Sequence, residues 1–376
     1  MRIRWVVVLL LAAPSLAQRV SEYTPEGLNR VFFVNSGSEA VDTAMKISLM
    51  YHRVRGQSQR QLFVSRERAY HGVNMGGVAL AGMVNNRRAY GPGLAGVYHM
   101  RHTALPQNKF IKGQPEQGAD LAEDLLRLCN LYGGENIAAC FVEPTAGSFG
   151  CLPPPKGYHD RLRQICDEQG ILLVFDEVIT GWGRMGANFG AQAFGVTPDQ
   201  MTMAKAITNG AQPMGAVAAK QSVYDTITDA GPKTGIEFFH GYTYSAHPAA
   251  CAAGLAMMDI FRDEQLIPRA AALSHARAAN EHGRAPHHLT KRRERRMDDG
   301  RSPARGRSRR ARRGGHGSRQ AWPSPRSRRR ARLEAHPAPA PLRSLGAPTR
   351  REVVRHTNHR RRAAEVAHPA RLLVGE

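Results

Sequence analysis

Between residues 20 and 274, short β-rich apolar runs alternate with segments of helical spacing, and that alternation leaves few folds open to the chain. The apolar runs cover residues 31–34, 62–64, 138–142, 171–175, 200–203 and 216–218, and helical patterns cover 39–51, 118–132 and 158–169. Strands that alternate with helices predict a layered α/β structure, whose ligands sit beyond the strand ends. No internal repeat is found.

The net charge of +22 belongs to a different part of the chain. Residues 275–376 hold 27 arginines, one lysine and 8 acids, a net of +20, whereas the first 274 residues carry +2. Of 12 Phe, 10 Tyr and 3 Trp, only Trp322 lies beyond residue 274. A segment that poor in large apolar groups cannot offset its ordering entropy and is expected to be disordered. Clustered arginine suits phosphate contacts, and an alternative reading makes this segment a nucleic-acid-binding extension. It lacks interleaved aromatics, RGG repeats and regular spacing, so no specific nucleic acid is expected as a partner. The five cysteines show no CxxC or Cys/His metal spacing, which predicts idle thiols in a reducing compartment and no metal site.

Arg2 and Arg4, an apolar run over residues 5–13, and then Ser15-Leu16-Ala17 look like an export signal. The run is too short to span a bilayer, and no other stretch approaches about 18 uninterrupted apolar residues. No membrane contact is expected.

Three features point to a site. Asn35-Ser36-Gly37-Ser38 joins a strand to a helix with small residues and hydroxyls, which suits an anion at the helix N-terminus, although this motif alone favours a plain helix cap by Ser36 or Ser38. It has neither a Walker spacing nor GxGxxG. Asp176 ends the fully apolar run over 171–175, where a buried acid needs a cationic partner. Lys205 follows the run over 200–203 and precedes Gly-containing turns; taken alone, it reads better as a solvated lysine. A lysine for a Schiff base, an aspartate for a pyridinium nitrogen and a helix N-terminus for a phosphate are together the needs of pyridoxal 5′-phosphate. The acid makes the ring an electron sink, and the lysine carries both the covalent link and the proton.

Leu173-Val174-Phe175-Asp176-Glu177-Val178-Ile179-Thr180-Gly181-Trp182-Gly183-Arg184-Met185-Gly186, followed by Asp199-Gln200-Met201-Thr202-Met203-Ala204-Lys205, resembles the signature of the class III pyridoxal-phosphate aminotransferases. The resemblance covers roughly residues 19–274, including Tyr70-His71-Gly72 and Val142-Glu143-Pro144. The segment His240-Gly241-Tyr242-Thr243-Tyr244-Ser245-Ala246-His247-Pro248 is most similar to the ω-amino acid:pyruvate (β-alanine:pyruvate) branch.

The resemblance implies an aspartate-aminotransferase-like α/β fold (fold type I): a large domain with a mainly parallel seven-stranded sheet, and a small domain built from both chain ends. It implies catalytic roles for Lys205 and Asp176. Gly37 and Ser38 would bind the phosphate, Tyr70 and Val178 would cover the two ring faces, and Thr243 would reach the phosphate of a neighbouring subunit. Glu143 would lie near the ring oxygen or a substrate-gating arginine, or be structural. For His71 and Arg184 a structural job is favoured, and Tyr244 and His247 would line the entrance or simply pack. The implied reaction transfers an amino group from an ω-amino acid or amine, such as β-alanine, to pyruvate in a cytoplasmic homodimer. Mutase or decarboxylase chemistry on the same cofactor is the alternative.

Residues 1–19 are expected to be an atypical leader-like segment, 20–274 the cofactor-binding large domain, and 275–376 the Arg-rich tail. The abrupt change of composition suggests a shifted reading frame after Ser274, with most of the small domain and its carboxylate-gripping arginine lost. A chain so altered is expected to be a poor catalyst.

Overall fold

The computed structural model describes residues 3–280 apart from 92, 109, 110 and 112. The expectations of a disordered tail and of nucleic-acid contact fall on residues 275–376; 275–280 are instead the last residues of the helix Leu266–Asn280, and 281–376 lie outside the described residues.

Seven strands form one sheet: β1 (Arg30–Val34), β2 (Leu62–Arg66), β3 (Val97–Met100), β4 (Ile137–Val142), β5 (Leu172–Asp176), β6 (Gln200–Met203) and β7 (Gly215–Ala219). Their spatial order is β1-β7-β6-β5-β4-β2-β3. The neighbours from β6 through β5, β4 and β2 to β3 are parallel, while β7 runs antiparallel to both β6 and β1. Because β7 is reversed against both neighbours, β1 points the same way as the parallel set. The C-terminal ends of β1, β2, β3, β4, β5 and β6 therefore share one sheet edge.

Among the described residues ten α-helices accompany the sheet: α1 (Ile3–Tyr23), α2 (Gly37–Val54), α3 (Met75–Leu80), α4 (Val84–Arg87), α5 (Glu123–Tyr132), α6 (Tyr158–Gln169), α7 (Gly190–Phe194), α8 (Gln221–Asp229), α9 (Pro248–Asp263) and α10 (Leu266–Asn280). The central strands are buried on both faces, which is why their sequences read as continuous apolar runs. Alternate residues still serve different layers. Leu173 and Phe175 of β5 pack with α1, α5, α6 and α9, whereas Leu172 and Val174 pack with α2 and α8.

The boundaries drawn from composition at residues 19/20 and 274/275 both fall inside helices, α1 and α10. The second half of α1 belongs to the core: Leu16 and Val20 are fully buried, and a Cβ added to Gly254 of α9 would stand 3.0 Å from Leu16. Arg19 of α1 also pairs with Asp259 of α9 at 3.2 Å. Among the described residues, no helix is long and apolar enough to cross a membrane.

Candidate active site

The shared sheet edge collects seven of the eight cofactor positions read from the sequence. At the end of β1, Ser36 caps α2 by accepting from the Glu39 N–H at 3.2 Å, and the Glu39 carboxylate reaches back to the Asn35 N–H at 2.7 Å. This is a close variant of the reciprocal cap in which an N-terminal hydroxyl and a glutamate three residues on satisfy free backbone donors. The cap leaves Gly37 and Ser38 in the first turn of α2, at the positive end of the helix. An added Cβ on Gly37 would lie 3.0 Å from Val178, so the turn and the loop after β5 close on each other. Ser38 Oγ accepts from the Val73 N–H at 3.0 Å. Gly72, at φ +114°, passes so close that a Cβ there would stand 2.6 Å from that hydroxyl.

Asp176 ends β5 almost fully buried. Its Oδ1 accepts from Thr202 Oγ1 at 3.1 Å and from the Val178 N–H at 3.2 Å, and its Oδ2 lies 2.8 Å from His71 Nδ1. Thr202 stands directly opposite Asp176 in the β5–β6 register. Glu143, after β4, accepts from the Tyr70 N–H at 3.0 Å and from the Gly147 N–H at 2.9 Å. The carboxylate thus ties the Tyr70 loop to the loop after β4.

Lys205 follows β6 at the head of a short 3₁₀ turn with φ +47°, a left-handed conformation rarely adopted by side-chain-bearing residues. Partial burial lowers its ammonium below the usual lysine range; the Asp176 and Glu143 carboxylates oppose that shift and Arg184 adds to it. A lysine held this way offers more of the neutral amine that attacks carbonyl carbon. Arg184 itself donates from Nε to the Ile179 carbonyl at 2.8 Å.

Thr243 stands apart from this cluster. It is exposed in the turn after residues 238–242, a segment held on α2 and β1. There His240 stacks on Phe32 at 5.5 Å and lies 2.8 Å from Thr43 Oγ1. Tyr244 is also exposed, and His247 caps α9.

The assembled groups fit pyridoxal 5′-phosphate: crowded small residues at a helix N-terminus for a phosphate, a hydrogen-bonded carboxylate for a pyridine nitrogen, and an amine for an aldehyde. The sequence reading missed Ser65 and Thr202 as parts of the site, and it favoured a structural job for His71. Ser65 and Thr202 are hydroxyls inside strands, and only strand register and the His71 contact bring them to Asp176.

The family profile "Aminotransferase class-III" matches residues 7–280. The chain belongs to the class III aminotransferases. It is similar to the omega-aminotransferase of Caulobacter vibrioides, with 57% identity over 258 residues, covering 68% of this chain and 58% of that protein. It is also similar to the beta-alanine–pyruvate aminotransferase of Pseudomonas aeruginosa, with 50% identity over 261 residues, covering 69% and 58%. This class III chain therefore spans 58% of the length of these two relatives. Among solved structures it resembles an (S)-enantioselective omega-transaminase from Thermomicrobium roseum, with a TM-score of 0.64, 37% identity and coverage of 69% and 57%. The omega transaminase from Pseudomonas jessenii in complex with PMP gives a TM-score of 0.64 at 34% identity, with coverage of 68% and 57%. The mixed, mainly parallel seven-stranded sheet of this chain is the fold expected from the resemblance.

Two buried titratable groups beside the site have opposite effects on stability. Glu177 accepts from the Gly190 N–H at 2.9 Å, the Ala191 N–H at 2.7 Å and the Thr180 hydroxyl, and burial pushes its carboxyl from 4.5 up to about 7. Its stabilising contribution is full below pH 4.5 and is lost as pH rises to about 7. His159 lies 2.9 Å from the Pro144 carbonyl, and burial pulls its imidazole from 6.5 down to about 4. Its contribution is full above pH 6.5 and is lost as pH falls to about 4. Between about pH 4.5 and 6.5 the two contributions oppose each other. Glu177→Gln is therefore expected to melt at a temperature that climbs more steeply with pH between about 4 and 6.5 than the parent's. Parallel melting profiles for variant and parent would show that Glu177 does not carry this titration.

Proposed function

We propose that this class III chain carries pyridoxal-phosphate-dependent transamination, moving an amino group from an ω-amino acid or amine such as β-alanine to pyruvate. The observation that carries the reading is the meeting of Lys205 with Asp176 and its hydrogen-bonding neighbours at one sheet edge. The names of the most similar relatives support the substrates.

When bound, the cofactor supplies an electron sink that makes a C–H bond of the substrate amine acidic. Lys205 Nζ would hold the cofactor covalently between turnovers and would carry the proton away from the amine-bearing carbon. Asp176 keeps a negative charge against the ring nitrogen, and Thr202 and the Val178 N–H hold that carboxylate in place. Gly37, Ser38 and the N-terminus of α2 take the phosphate. Tyr70 and Val178 exclude water from the two ring faces. Glu143 sets the Tyr70 loop through its bonds to the Tyr70 and Gly147 N–H groups.

The active unit is a cytoplasmic homodimer in which Thr243 reaches the partner's phosphate. Support comes from the exposed apolar side chains beside it: Ile236, Phe239 and Tyr244 are 51%, 86% and 70% exposed.

The test is to load the 376-residue chain with pyridoxal phosphate and supply β-alanine and pyruvate. Slow alanine formation that requires both substrates and the cofactor is the expected result. Cofactor-dependent decarboxylation or isomerisation without pyruvate consumption would replace this reading with the alternative chemistry.

A further inference from the structure

The loop that carries Tyr70 and His71 runs on to α3 along one stripe of α2. Ser38, Asp42 and Met45 lie at i, i+4 and i+7 of that helix and so share a face. Ser38 Oγ accepts from the Val73 N–H, and one turn further Asp42 Oδ2 accepts from Asn74 Nδ2 at 3.0 Å. Asp42 Oδ1 is shut off from solvent against Gly76, whose backbone comes so close that an added Cβ would collide with that oxygen and stand 2.9 Å from Met45 Sδ. We propose that Asp42 is a positioning residue for the cofactor site: through Asn74 it holds the loop on α2, and with it the Val73 N–H on Ser38 and Tyr70 at the sheet edge.

Asn74 occupies the N-cap of α3, where an asparagine side chain ordinarily accepts from a free N–H of the first turn. Here it makes no such bond. A carboxylate only accepts, so Asp42 turns the amide NH₂ toward α2, and among the described residues this is the one hydrogen bond of the Asn74 side chain. A cap is given up for a cross-tie between the loop and the helix. Departures of this kind from the local rule mark positions where another demand is met.

Burial does not pin the loop at this point. Val73 and Met75, the apolar residues on either side of Asn74, are 70% and 52% exposed. Upstream, Glu143 fixes the Tyr70 N–H and Asp176 fixes His71. Among the described residues, the stretch over 72–74 makes two hydrogen bonds to α2, from the Val73 N–H and from Asn74 Nδ2. Without the second, the Val73 N–H is held on Ser38 by its own bond alone. The consequence for phosphate binding rests on the proposed function, whereas the tie between loop and helix does not.

The test follows amide hydrogen exchange by mass spectrometry in the full cofactor-free chain. Asp42→Ala and Asn74→Ala are each expected to speed exchange in the peptide over residues 70–74 about tenfold, the double variant no further, and the β5 peptide not at all. In equilibrium dialysis each variant should also lose about tenfold in its preference for pyridoxal phosphate over pyridoxal. Unchanged exchange in either single variant, summed effects in the double variant, or faster exchange that reaches β5 overturns the proposal. Faster exchange with an unaltered preference for the phosphate overturns it too. If Asp42→Ala fails to fold, Asn74→Ala, at a half-buried position, decides alone. If the parent takes up neither pyridoxal compound, the proposed function falls, and the exchange result still decides whether Asp42 holds the loop.

Discussion

Lys205→Ala is expected to abolish transamination and to leave no stable covalent attachment of pyridoxal phosphate. In the parent, borohydride reduction followed by peptide mapping should place the pyridoxyl group on Lys205. Two functions are lost together in the variant, the covalent link and the proton carrier, and groups that act as a unit give losses far beyond a single contact. The backbone argues the same way. A non-glycine residue held at φ +47° costs energy, and such strain persists where surrounding structure enforces it. Alanine keeps that backbone constraint, so the fold should survive and circular dichroism should match the parent. Labelling on a different lysine, or residual turnover near the parent's, would remove Lys205 from the centre of the mechanism.

Asp176→Asn should lower turnover by at least two orders of magnitude, about 3 kcal/mol in barrier. An uncharged amide cannot hold a ring nitrogen protonated, and it also changes the local hydrogen-bond sense. Thr202 and the Val178 N–H both donate to Oδ1, so the asparagine oxygen is expected to stay there and the amide NH₂ to face His71 Nδ1. His71 would then have to give up its Nδ1 proton and accept instead. Near-parental turnover with unchanged cofactor absorbance would make Asp176 structural.

Much of this was legible before any coordinates, and the reasons differ by element. Strand β5 is readable because a doubly covered parallel strand must be apolar throughout, so the first acid after it marks the strand end. The segment over 158–169 matches α6, because its apolar residues repeat with helical spacing. Strand β3 was missed: Val97-Tyr98-His99-Met100 is a four-residue edge strand, half-buried, with no apolar run to announce it. The site divides likewise. Asp176 and Lys205 stand at strand ends, where local sequence places them. Thr202 reaches Asp176 through register between β5 and β6, and His71 reaches it from a loop about a hundred residues earlier in the chain, so no local pattern encodes either contact.

The bond from the Val73 N–H to Ser38 Oγ has a further consequence. The serine oxygen is already engaged as an acceptor, so its own hydrogen remains free to point at an incoming anion. The crowding of Gly72 against that hydroxyl, and of Gly37 against Val178, keeps the turn from sampling other shapes. Much of the ordering that a phosphate would otherwise have to impose is thus completed during folding, and association loses correspondingly less entropy when it occurs.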